Sequence, residues 1–266
     1  MSISGNSLQL IGQNTLPTTI NSSEFGIVGS DHSPAADARN VALQEMLAFD
    51  SGVVLLQSAN SVLRDAIRVA QLVGDATRNT PALVSQLPGT GLGQQLSQVA
   101  RIIQARTALG MRRQIFFVTH GGFDTHNGQL GSHANLLTQL SQAMLAFHNA
   151  MGELAVQDSV VTFTESEFSR TFQPNNGAGT DHAWGGHCLA IGGGVKGGNT
   201  YGRFPVLALG GDDDSGNRGN WIPSVSLDQY GASIAQWFGV PPNELTQVFP
   251  NLANFPVQTA GFMNTV

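Results

Sequence analysis

The sequence predicts an α/β fold built on a mostly parallel sheet. Two short apolar runs, Gln114–Thr119 (QIFFVT) and Asp158–Thr164 (DSVVTFT), have strand length and little alternation. That is the pattern of strands buried on both faces. Between them, residues 132–155 carry Leu136, Leu137, Leu140, Met144, Phe147, Met151 and Leu154 at helical spacing. Strand, crossover helix and strand make a βαβ unit, so both strands run parallel. The loops that follow them then leave one sheet edge, where open α/β sheets bind ligands.

The remaining elements follow in chain order. Residues 1–34 are rich in Ser, Thr, Asn and Gly, with SLQLIG and FGIVG as short strand candidates in a loop-rich entry. Three helices come next. Residues 36–49 carry Val41, Leu43, Met46, Leu47 and Phe49 on one stripe; residues 57–74 carry Val62, Leu63, Ala66, Val69, Ala70 and Val73. Residues 92–109 turn Leu96, Val99, Ile102, Ile103 and Ala105 inward. The organisation expected is an entry segment with helices over 1–110 and an α/β core over 111–266, within one domain. In the core, His187–Ile191 (HCLAI) reads as another strand, and residues 200–209 as an extended edge because of Pro205. Residues 227–239 form an amphipathic helix with Leu227, Tyr230, Ile234 and Trp237 on one face, and a short helix near 242–248 follows.

Composition narrows the function classes. With 41% apolar residues and a net charge of −6, the chain is neither a high-charge disordered segment nor a basic nucleic-acid binder. Cys188 is the single cysteine, which excludes an intrachain disulfide and a cysteine zinc site; at the start of an apolar strand it is expected to be buried and inert. No run of about 18 apolar residues exists, so no membrane-spanning helix is expected. The opening MSISGNSLQL has neither the basic nor the apolar region of a signal peptide.

Chemistry concentrates in the loops after the strands. His120, His126, His182 and His187, four of seven histidines, lie there with Asp124, Glu165, Glu167, Asp181 and Arg170. Carboxylates and imidazoles on one edge suit zinc, manganese or a mixed two-metal site. A metal pair clamps the attacking and leaving oxygens of a phosphoryl or sulfuryl group. Asp124, His126, Glu167, Asp181, His182 and His187 are the candidate ligands, expected in one cleft, and Arg170 is the anion-binding candidate. Taken singly, Asp124-Thr125-His126 is also an Asx-turn with a surface histidine, and a glutamate could simply pair with Arg170. GGGVKGG (192–198) lacks the GK[ST] ending of a phosphate loop and reads as a turn. Asp212-Asp213-Asp214 is no EF-hand, because Pro223 stands at the twelfth position.

Five segments carry a family resemblance: GGFDTH (121–126), TESEFSRT (164–171), GTDHAWGGH (179–187), GGGVKGGNTYG (192–202) and WIPSVSLDQYGASIAQWFGV (221–240). Together they resemble the bacterial domain of unknown function 1501 from near residue 3 to near residue 240. That family is similar to the alkaline phosphatase and sulfatase superfamily. The likeness implies a three-layer α/β/α sandwich, a divalent metal (zinc, manganese or calcium), a small phosphate or sulfate ester as substrate, and a periplasmic or secreted location. Asp124 and His126 stand where the superfamily has an Asp/His metal pair, Asp181-His182 resembles its Asp-His pair, and His187 is a candidate for its later histidine. Glu167 or Asp181 takes the remaining carboxylate position. The superfamily's first metal carboxylate and its Ser/Thr nucleophile come from an amino-terminal strand not found here. The resemblance therefore implies a truncated member, weakly active or inactive by itself. Two functions are expected from this reading: a metal-dependent hydrolase, or a non-catalytic exported binding or structural module.

Overall fold

The structure is a computed structural model that describes residues 1–5, 7, 10–12, 17–20, 33–78 and 80–264. These fall into two compact units, Met1–His120 and Gly121–Val266.

Among its described residues the amino-terminal unit holds three α-helices, α1 (Pro34–Ala48), α2 (Val54–Arg78) and α3 (Gly91–Gln104). Ser33 caps α1 by accepting the Ala36 amide, and Pro34 fits the first turn, where its missing N–H costs nothing. Thr90 caps α3 through the Gly93 amide. The α3 stripe is inward as expected: Leu96, Val99, Ile102, Ile103 and Ala105 are all buried. The stripes of the first two helices are inward only in part. Val41, Met46, Phe49, Val62 and Leu63 are exposed, whereas Leu47 and Val73 of those stripes are buried together with Ile67. FGIVG lies outside the described residues, as do Leu8 and Gln9 of SLQLIG.

The expected three-layer sandwich with a mostly parallel sheet is overturned. The described chain is 44% helical, and its only sheets are short antiparallel pairs. Gln114–Thr119 spends its hydrogen bonds on the amino terminus, where Ile3 donates to the Phe117 carbonyl and Phe117 donates to that of Met1. The Gln95 side chain brackets Thr119, donating to its carbonyl and accepting from its amide. The second expected strand survives as β1 (Val161–Phe163), but its partner is β4 (Ala190–Gly192), antiparallel. The expected burial on both faces is not found either, since Ile115 and Phe163 are exposed and no residue of 114–119 or of β1 is buried; the partner and direction are chosen by contacts remote in sequence. Residues 200–209 form no strand, and Phe204, Val206, Leu207 and Leu209 are exposed.

In the carboxy-terminal unit, α4 (Gln129–Glu153) buries Ala143, Met144, Phe147, Ala150 and Met151. Strands β2 (Ser169–Arg170) and β3 (His182–Ala183) pair antiparallel between β1 and β4 in the chain. Helix α5 (Leu227–Phe238) starts on a Ser226/Gln229 capping box and ends on Gly239 with a positive φ of 112°. Its Tyr230 stacks on Phe262 and donates from its hydroxyl toward the Thr164 and Leu189 carbonyls, tying α5 to the ends of β1 and β4. A second cluster joins Ala232 of α5 to Leu245 of α6 (Leu245–Val248) and to Leu252.

Candidate metal centre

Three segments of the carboxy-terminal unit build the site. In the β2–β3 ladder, Arg170 lies directly opposite His182. Cross-strand neighbours place side chains on one face, so this register sets a guanidinium beside an imidazole. The loop before α4 is laced to the loop after β2. Thr180 donates its amide to Thr125, Gly128 donates to Gly177, Gln129 donates to Ala178, and the Asn175 side chain donates to the His126 carbonyl. Gly179 makes this lacing possible, because a Cβ there would sit 2.2 Å from the His126 carbonyl carbon.

The outcome is a meeting of three donor atoms. Asp124 Oδ1 lies 2.9 Å from His126 Nε2 and 2.9 Å from His182 Nε2, and the two Nε2 atoms are 3.2 Å apart. Among the described residues these three form the one group of His, Cys, Asp or Glu with metal-ligand spacing. A tetrahedral zinc with bonds of about 2.0–2.2 Å separates its donors by roughly 3.3–3.6 Å. The observed triangle is a few tenths of an ångström tighter and closes on such an ion with small side-chain shifts. The side chains are 54%, 43% and 55% exposed for Asp124, His126 and His182, so one side of the triangle faces solvent.

Each candidate ligand has its own support. Arg170, only 11% exposed, donates Nη1 to Asp124 Oδ1 at 2.6 Å, Nε to the Thr180 hydroxyl at 2.9 Å, and Nη2 to the Thr180 carbonyl. The hydrogen bond from His182, and next that from Arg170, hold the Asp124 carboxyl below its ordinary range. Phe168 packs on the His182 ring, with centroids 4.5 Å apart. Asp181 lies outside the triangle. Its Oδ1 is 3.4 Å from His126 Nδ1, the other side of that ring, and its Oδ2 accepts from Arg218 at 2.5 Å. Donation from Asn175, then from Arg218, lowers the Asp181 carboxyl pKa.

Of the sequence candidates, Asp124, His126, His182, Asp181 and Arg170 therefore form one connected cluster. Glu167 and His187 do not join it. Glu167 is exposed in the bend before β2, where the Ser166 hydroxyl donates to the Phe168 carbonyl and Phe168, not Glu167, reaches the histidine. Beyond β3 the Gly185 amide donates to the Trp221 carbonyl, and His187 ends against Phe204 at 5.6 Å. Cys188 is exposed, contrary to the expectation of burial. Asp213 is taken up by Arg203 and Asp214 by four backbone amides, so that acidic run is an internal brace. Asn175 and Arg218 carry no signal of their own in the sequence beyond the nearness of Asn175 to GTDH, and Thr180 shows there only as the threonine of that motif.

No curated protein and no solved structure matches the chain. The model of the family described as Protein of unknown function (DUF1501) matches residues 8–217, a span that includes all three atoms of the triangle. The chain belongs to the DUF1501 family.

Proposed function

We propose that this protein is a metal-dependent hydrolase of the phosphate- or sulfate-ester class, with one divalent transition ion held by Asp124, His126 and His182. The observation that carries the reading is the convergence of Oδ1 and two Nε2 atoms within 3.2 Å of one another. Two imidazoles favour zinc or a similar ion over calcium, which prefers oxygen. Structural zinc sites are closed by four protein ligands, whereas catalytic ones keep a position open; three partly exposed ligands match the second pattern. When bound, such an ion supplies Lewis-acid polarisation of an ester oxygen. Arg170 keeps Asp124 ionised and aimed, and Phe168 backs the His182 ring. The ester class follows the superfamily resemblance of the motifs, not the fold.

A second reading, a cation-binding module without turnover, is favoured by the nearby hydroxyls. Thr125 stands 3.1 Å from His133 Nε2 but is buried, with its Oγ1 directed to the Phe123 carbonyl at 3.4 Å, and Ser166 donates to the Phe168 carbonyl. Each hydroxyl is thus engaged by loop backbone. Assay of the full chain on aryl phosphate and aryl sulfate, with zinc or manganese added, separates the two. The hydrolase reading expects metal-dependent turnover that falls at least about 100-fold in Asp124→Ala and His182→Ala. Bound metal without turnover would establish the module instead.

A further inference from the structure

We infer that Asp181 is a positioning residue that acts through His126, fixing the ring so that Nε2 presents its lone pair to the cation. The inference rests on the metal reading above and assigns Asp181 a place outside the ligand set. His126 sits between two carboxylates, with Nε2 2.9 Å from Asp124 Oδ1 and Nδ1 3.4 Å from Asp181 Oδ1. A neutral imidazole carries one proton, and hydrogen placement follows from the partners. With a cation bound, Nε2 gives its lone pair to the metal, so the one proton stands on Nδ1 and faces Asp181 Oδ1. Asp181 accepts from it and holds the ring with Nε2 toward the cation.

Asp181 is itself held from three directions. Arg218 Nη1 meets its Oδ2 at 2.5 Å, Asn175 Nδ2 meets its Oδ1 at 3.2 Å, and the Thr171 hydroxyl accepts its backbone amide at 3.1 Å. Asn175 grips both ends of the unit, since the same Nδ2 donates to the His126 carbonyl. Arg218 is aimed by the turn braced on Asp214, whose carboxylate accepts the Gly219 and Asn220 amides on either side of Arg218's successor. Metal-bound histidines commonly donate their second nitrogen to a carboxylate, and loss of that partner costs about 10–100-fold in affinity.

The test uses the full chain and two readouts. Zinc affinity is measured by competition with a chromophoric chelator. The Nδ1 proton of His126 is read in the zinc-loaded protein from its NMR signal and its exchange with solvent, the signal assigned by its absence in His126→Gln. The expected results are a slowly exchanging Nδ1 proton in the wild type, faster exchange in Asp181→Ala, and a roughly 10–100-fold weaker zinc affinity in that variant. Asp181→Asn, which keeps the shape and an acceptor oxygen but not the charge, should lie between, and it decides the matter where Asp181→Ala does not fold. An Nδ1 proton that exchanges as fast in the wild type as in Asp181→Ala, or variants whose zinc affinity matches the wild type, would overturn the inference while leaving the metal site intact. A folded wild type that binds no zinc would remove the metal reading and with it the role assigned to Asp181.

Discussion

Asp124 is the most heavily engaged side chain of the site, receiving His126, His182 and Arg170 on one oxygen. Such crowding of donors around one carboxylate oxygen exists only because the backbone beneath it is packed tightly. Gly179 is the tightest point, with the His126 carbonyl carbon and oxygen 2.2 and 2.3 Å from where a Cβ would stand. These are backbone atoms and cannot turn aside as a flexible side chain would. Gly179→Ala should therefore displace the 123–128 loop from the β2–β3 ladder and weaken zinc binding at least about tenfold, while Gly197→Ala, with open space around it, should leave zinc affinity unchanged. Equal zinc affinity in the two variants would show that the lacing does not shape the site. Asp124-Thr125-His126 and Asp181-His182 were legible as chemistry because so few acids and histidines are present and they cluster in two loops. Arg218 was not, since 37 residues separate it from Asp181 and only the fold joins them.

At the scale of elements, helices were read well and sheet pairing was not. Helical positions announce themselves by local periodicity, and the six α-helices among the described residues lie where the sequence suggests one. Strand partners depend on distant segments. The run at 114–119 pairs with Met1–Ile3, and β1 pairs with β4 some 30 residues on. The ladder that matters most, β2 with β3, is only two residues long on each side, too short for any period to show. The turn over 210–220 depends on a single residue in the same way. Asp214 accepts the amides of Gly210, Gly216, Gly219 and Asn220, which hold its pKa at about 2 against an ordinary 3.8. A carboxyl with a lowered folded pKa stabilises above its unfolded value and loses that contribution as pH falls through the folded one. The wild type should thus lose stability between about pH 5 and pH 2 more steeply than Asp214→Asn. Urea unfolding followed across that range checks this, and parallel curves for the two proteins would contradict it.

For the molecule as a whole, the family match runs across both compact units, whereas every residue of the candidate centre lies in Gly121–Val266. No helix among the described residues is long and apolar enough to cross a membrane. Low charge, a lone cysteine and a few acids gathered with histidines point in the sequence to a candidate N/O metal site, although the parallel-sheet edge expected to carry it does not form. A short antiparallel ladder and two laced loops bring the candidate ligands together instead. The central claim is that Asp124, His126 and His182 bind one metal ion. Its most direct test is the zinc content of the wild type and of five single alanine variants after equilibration with zinc and gel filtration. The account predicts one zinc per chain in the wild type, in Glu167→Ala and in His187→Ala, and none in Asp124→Ala, His126→Ala or His182→Ala. No zinc in the folded wild type, or a full equivalent retained when any of the three proposed ligands is removed, would contradict it.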